Sequence, residues 1–253
     1  RKYIGNPIMI PLYPWEGKVS LYGTVWHYPD GEFRMWYQGY GGNGVPKMAK
    51  DNSDSPWKDF DASNLLYVIG YATSHNGIHW ERPNLGLIDY RGSKDNNLVL
   101  SDAAFANVIE DHRDPNPGRR YKSLFFEARD PSGTPNMGDG VSVAFSPDGI
   151  RWTKYEKNPV IKRSSDSHML LGWDELHSRY VSYCRPSLHA GNKIRRIGRA
   201  ESDDFINWSS IKDVLAPDNE DPIGTEFYGM PVFKYEDLYI GQLLAYHAPP
   251  EEQ

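Results

Sequence analysis

Ser74-His75-Asn76-Gly77-Ile78-His79-Trp80 recurs twice along the chain, as Ser146-Pro147-Asp148-Gly149-Ile150-Arg151-Trp152 and as Ser202-Asp203-Asp204-Phe205-Ile206-Asn207-Trp208. All three read Ser-x-Asp/Asn-x-Ile-x-Trp, and four constrained positions recurring three times mark an internal repeat. Each copy follows a strand-forming run (Leu66 to Thr73, Val141 to Phe145, Ile194 to Arg199) and opens another short one. An Asp or Asn side chain in such a turn bonds back to its own backbone, so the motif reads as a hairpin turn joining two antiparallel strands.

Working outward, each copy is preceded by a pair of strand-like runs: Val19 to Tyr28 with Phe33 to Tyr40, Ala104 to Asp111 with Tyr121 to Glu127, and Ser167 to Trp173 with Tyr180 to Cys184. A fourth pair, Glu226 to Tyr235 and Leu238 to Tyr246, turns around Glu236-Asp237 without a Trp motif after it. A further marker stands as Asn6-Pro7-Ile8, Asn96-Asn97-Leu98-Val99 and Asn158-Pro159-Val160-Ile161. The unit is thus four antiparallel strands, and no amphipathic helix interrupts it. Four-stranded units repeated around an axis predict an all-β chain, a β-propeller in one domain. The blades expected are 1–83, 96–157, 158–214 and an incomplete 215–253. A β-sandwich of hairpins is the competing all-β reading. Because a propeller must close to protect its edges, the chain is expected to continue beyond Gln253. The polar stretch Gly41 to Asn64 reads as an insertion loop.

Composition narrows the function. The 253 residues carry 28 Lys and Arg against 34 Asp and Glu, a net charge of −6, so no basic field attracts nucleic acid or an anionic membrane face. No apolar run approaches the roughly 20 residues of a membrane helix. The single cysteine, Cys184, has no partner for a disulfide or a metal knuckle, and the histidines lack metal-ligand spacing. No metal or organic cofactor is expected, a structural cation on the axis being the one exception. Nucleotide-binding glycine loops and the nucleophile-elbow serine motif are absent from the sequence. The chain opens at Arg1 with no charged and apolar leader behind it, so any secretory signal lies outside this sequence.

The Trp turns, their preceding strands and segments such as Lys157-Asn158-Pro159-Val160-Ile161 resemble the five-bladed propellers of glycoside hydrolase families 32, 43, 68 and 130. The resemblance covers most of the chain and implies an axial funnel lined by the first strand of each blade, where acidic residues cut or transfer glycosyl groups. It implies a carbohydrate substrate, and a polysaccharide substrate favours a secreted or periplasmic location. Arg113-Asp114-Pro115 matches a motif that families 32 and 68 use in their second blade, yet it falls in a hairpin turn. The Asn-Asp-Pro and Glu-Cys-Pro signatures of family 32 are absent, which counts against fructan cleavage.

Glycosidic chemistry needs two carboxyl groups, one to protonate the leaving oxygen and one to act as base or nucleophile. The first strands offer Glu16 beside Trp15, Asn107 with Glu110, Asp166 with His168, and Glu226 with Tyr228. Period-2 geometry sets Asp166 and His168 on one face, and Glu226 and Tyr228 on another. Glu226 beside an aromatic is the expected general acid, because partial burial favours the protonated carboxyl. Asp166 is the expected base, and Glu16 competes for that role, which the first blade commonly carries in the resembled enzymes. Trp15, Tyr228 and Trp36 are the candidate sugar platforms. Arg185 and Arg199 are candidates for an acidic sugar or a phosphate, against structural ion pairs. Trp80, Trp152 and Trp208 recur with the repeat and read as blade packing. The expectation is a glycoside hydrolase; a non-catalytic glycan- or protein-binding propeller and a glycoside phosphorylase are the alternatives. The binding propeller gains if the acids prove to be paired away by arginines.

Overall fold

The computed structural model describes residues 3–42, 65–127, 140–187 and 194–247. The chain divides into two compact units, one built chiefly on residues up to Ala106 and the other chiefly on residues from Asn107 onward. The insertion expected at Gly41 to Asn64 lies almost wholly outside the described residues.

In the first unit, β1 (Lys18–His27), β2 (Phe33–Gly42), β3 (Leu65–Ser74) and β4 (Leu98–Ser101) form an antiparallel sheet in sequential order. The hairpin β1–β2 carries a bulge between Ser20 and Thr24. After Trp80 the chain pairs once with its own strand, Thr73 with Glu81, and reaches β4 only at Leu98. This first sheet therefore extends to Ser101 rather than closing near residue 83. Leu98, Val68, Trp15 and Tyr90 pack as one small core, and Met35, Tyr37 and Ala72 as another.

The second sheet orders β5 (Ala103–Glu110), β6 (Tyr121–Glu127), β7 (Gly140–Ser146) and β8 (Thr153–Lys154), and β9 (Ile161–Lys162) also pairs with β7. β7 is buried along its whole length, and it reads Gly-Val-Ser-Val-Ala-Phe-Ser because both its faces are covered. The outer strand is split between β8 and β9, and Asn158 bridges the gap. Its side chain accepts from the Val143 amide at 2.9 Å and donates to the Val143 carbonyl at 3.0 Å. The recurring Asn marker thus replaces a missing strand partner, and Asn97 does the same for Tyr71, donating to its carbonyl at 2.7 Å.

The third sheet runs β10 (Ser164–Asp174), β11 (Arg179–Pro186), β12 (Ile197–Ser202) and β13 (Lys212–Leu215). The last strands, β14 (Thr225–Gly229), β15 (Val232–Tyr235), β16 (Leu238–Gly241) and β17 (Leu244–His247), make one long hairpin, with β14 paired to β17 and β15 to β16. Leu124, Val143, Phe145, Ile161, Tyr180 and Phe205 form the main core of the second unit. Fully burying each such apolar side chain contributes about 1.5–3 kcal/mol. Repeated four-stranded antiparallel sheets in sequential order are the blades of a β-propeller.

The Trp turns form as their residues require. Asn76 Oδ1 accepts from the amides of Ile78 and His79, both at 2.9 Å, and Asp204 Oδ1 from those of Ile206 and Asn207 at 2.9 and 2.7 Å. Trp80 and Trp208 donate their indole N–H groups to the carbonyls of Gly77 and Phe205. The fourth position of each copy is left-handed, with φ of +68° at Gly77, +76° at Gly149 and +66° at Phe205.

Candidate functional site

In the first unit, Glu16 follows a turn closed by its own amide on the Tyr13 carbonyl, and it is fully buried. Its Oε2 accepts from the amides of Leu12 and Tyr13, and its Oε1 accepts from the Tyr37 phenol. Arg82 Nε stands 2.8 Å from the same Oε1, as an ion pair without hydrogen-bond alignment. Tyr37 reaches Glu16 because its ring lies over Gly70, where a Cβ would come within 2.4 Å of it. Burial first, then the charge of Glu16, pushes the Tyr37 phenol well above its usual range. Asn97 donates to the Tyr37 oxygen at 2.8 Å and accepts from Trp15 Nε1 at 3.0 Å. Trp15 is stacked on Tyr13 at 4.7 Å and is only 7% exposed, and Trp36 is also buried. Neither ring has a face open to a sugar. Glu16 is likewise enclosed, with every oxygen engaged by protein groups.

The second unit brings the other candidates together. Asp166 on β10 is 38% exposed at its side chain and pairs with Arg185 Nη2 on β11. The same guanidinium donates to Ser165 Oγ at 2.7 Å and to the Tyr228 carbonyl at 3.2 Å, and it lies 4.7 Å from the Tyr228 ring centre. One arginine therefore ties β10, β11 and β14. Glu226 on β14 is nearly buried and pairs with Arg195 Nη1. Arg195 lies 5.0 Å over the Tyr246 ring, and its carbonyl accepts from the Phe227 amide at 2.9 Å. Tyr228 and Tyr246 stand 6.4 Å apart on paired strands. Two carboxylates, two guanidinium groups and two phenol rings thus line neighbouring strands.

The remaining candidates scatter. His168 is buried, with Nδ1 3.2 Å from the Asp166 carbonyl, so the alternation that exposes Asp166 does not expose its neighbour; a register shift between Ser164 and His168 accounts for the difference. Asn107 accepts from the Leu170 amide at 3.0 Å and holds β5 to β10. Glu110 pairs with His112 at 3.0 Å. Arg199 pairs with Glu201 at 2.9 Å and lies 3.9 Å from Asp174, the structural alternative named for it. Asp114 of Arg113-Asp114-Pro115 caps Asn116 and binds the buried Lys122 at 2.8 Å. Burial opposes its charge, but those bonds outweigh it and hold the carboxyl below its usual range. Arg195, Ser165 and Tyr246 join the site without any local signal, since only the paired strands bring them to Glu226 and Arg185. Among the described residues no group of three or more His, Cys, Asp or Glu could hold a metal ion.

No family model and no curated protein matches the chain. Among solved structures, a β-1,2-mannobiose phosphorylase from Listeria innocua, in complex with β-1,2-mannobiose, is 15% identical with a TM-score of 0.63, over 98% of this chain and 75% of that one. A structure described with family 130 of mannoside phosphorylases, which contains glycoside hydrolases that target β-1,2-mannosidic linkages in Candida mannan, is 15% identical with a TM-score of 0.56, over 96% and 68%. A β-fructofuranosidase from Schwanniomyces occidentalis, complexed with fructosyl-erythritol, is 15% identical with a TM-score of 0.54, over 92% of this chain and 42% of that one. At such identity the likeness carries architecture, and the chain has the fold of the five-bladed β-propeller glycoside hydrolases.

Proposed function

We propose that the protein is a carbohydrate-active enzyme that cleaves glycosidic bonds with Asp166 and Glu226 as its working carboxylates. The observation that supports this reading is their placement: both stand on the leading strands of consecutive sheets, β10 and β14, beside the Tyr228 and Tyr246 rings. Asp166, the more exposed of the two and held in place by Arg185, suits the base or nucleophile. Glu226 suits the acid once an arriving sugar takes over Arg195. Tyr228 serves as the platform on which a sugar ring stacks. Glu16, enclosed by Tyr37, Arg82 and two amides, holds the loop before β1 and leaves the base role to Asp166.

A second reading is favoured by a specific observation: each of the three acids carries an arginine, Arg82 on Glu16, Arg185 on Asp166 and Arg195 on Glu226. Such pairing fits a glycan-binding propeller without catalysis. The two guanidinium groups of the second unit also suit inorganic phosphate, as a phosphorylase would need. Product release from a panel of plant, fungal and sulfated polysaccharides, with and without phosphate, separates the three. Hydrolysis is expected to fall about a hundredfold or more in Asp166→Asn and in Glu226→Gln while the folded signal is unchanged. Phosphate-dependent release would establish the phosphorylase. Glycan retention with no release by the wild type would establish the binding propeller and overturn the catalytic reading.

A further inference from the structure

Two consecutive arginines just before β12 take different partners. Arg195 reaches Glu226, whereas Arg196 reaches Asp213, its Nε 2.7 Å from Oδ2. Arg196 also lines a cavity of about 670 Å³, together with Lys162, Arg163, Trp208, Ile211 and Asp213 among others. Three cations face one acid there. The Arg196 side chain is only 8% exposed, and its Nη1 is buried with no hydrogen-bond partner in the protein. A buried charged donor left unsatisfied is costly, and an anionic oxygen is the group that best relieves it.

The walls say more about the ligand than its charge. The Trp208 N–H is committed to the Phe205 carbonyl at 3.1 Å, so this indole offers ring surface rather than a donor. Val160, Pro186 and Ile211 extend the apolar lining. The volume falls in the range of small-molecule pockets, roughly 300–1,000 Å³, well beyond what a lone inorganic anion fills. We infer that this cavity is a second binding site, separate from the Asp166–Glu226 cluster, that takes an anionic sugar by engaging its carboxylate or sulfate with Arg196, Arg163 and Lys162 and its ring face with Trp208. The inference does not depend on whether Asp166 and Glu226 catalyse.

Arg163 provides the cleanest test. It is exposed, and its φ of +58° is one that Asn adopts readily, so Arg163→Asn removes the charge and keeps the backbone. Binding of a glucuronate-containing disaccharide, its neutral methyl ester and inorganic sulfate would be measured calorimetrically on the wild type, Arg163→Asn, Lys162→Gln, Arg196→Gln and Arg185→Gln. The acidic disaccharide is expected to bind the wild type at least about tenfold more tightly than its ester, and to lose a similar factor in Arg163→Asn and Arg196→Gln but not in Arg185→Gln. Should Arg196→Gln fail to fold, the two exposed cations carry the test alone. The assignment is overturned by no saturable binding up to about 10 mM, by equal affinity in Arg163→Asn and Lys162→Gln, or by sulfate alone binding as tightly as the disaccharide.

Discussion

Phe205 occupies the turn position that Gly77 and Gly149 fill in the other two copies, at a φ of +66° that costs a residue with a Cβ about 1–2 kcal/mol. The cost is offset because its ring is fully buried, 5.1 Å from Tyr180, 5.5 Å from Trp208 and 6.1 Å from Phe145. Two substitutions separate the terms. At Gly77 a Cβ would meet the Phe33 ring no closer than 3.8 Å, so Gly77→Ala should cost only the backbone strain, about 1 kcal/mol. Phe205→Ala keeps the strain and loses the ring, and should cost about 3–5 kcal/mol. Denaturant midpoints at constant m-value check both, and equal losses would refute this account of the turn.

Between elements, a second repeat holds consecutive sheets together. Asp111, just past β5, accepts from the phenol of Tyr180 on β11, and Asp174, at the end of β10, accepts from the phenol of Tyr239 on β16 at 2.6 Å. Each aspartate closes the first strand of one sheet on the second strand of the next. Burial opposes the charge on both aspartates. It is outweighed at Asp111 by bonds from Tyr180, the Arg113 amide and Lys122, and at Asp174 by those from Tyr239, His177 and the Leu176 amide. Both carboxyls are therefore held below their usual range. Conversely, burial and then the bond to Asp111 raise the Tyr180 phenol, and the bond to Asp174 pushes Tyr239 up to about 12. The aspartates contribute stability that is complete above about pH 4 and lost as pH falls through their lowered values. The tyrosines contribute stability that is present below about pH 10 and lost as pH rises through their raised ones. Melting temperature should thus be level from about pH 5 to 9 and fall on both sides. Tyr180→Phe should cost about 1–2 kcal/mol at neutral pH and flatten both limbs, because Asp111 loses a donor. A melting profile unchanged in shape would count against the clasp.

For the whole molecule, the lone cysteine reports on unfolding. Cys184 is buried on β11, and burial pushes its thiol up to about 11. The thiolate is the reactive species, so the folded protein should resist a thiol reagent at pH 8 and react completely in denaturant. Labelling measured against denaturant should follow the loss of β structure. Fast labelling of the native protein would show that the sheet between β10 and β12 opens locally.

The sequence by itself determined the repeat, the strand pairs, the Trp turns and therefore the propeller class. These rest on contacts within a few residues, such as Asp204 to Ile206 or Trp208 to Phe205, which short motifs encode. It also marked Asp166, Glu226, Tyr228 and Arg185 as candidates, and the paired strands bring them to one cluster. Only the tertiary structure decided which acids are enclosed and which partner each one meets. Glu16 and Trp15 carry the same local signal as Asp166 and Tyr228, yet they are buried by Arg82, Tyr37 and Asn97, all distant in sequence. Arg195 meets Glu226 across 31 residues of sequence. A charge pair at that separation depends on how sheets stack, and strand periodicity records the face of a residue without recording what the next blade sets against it.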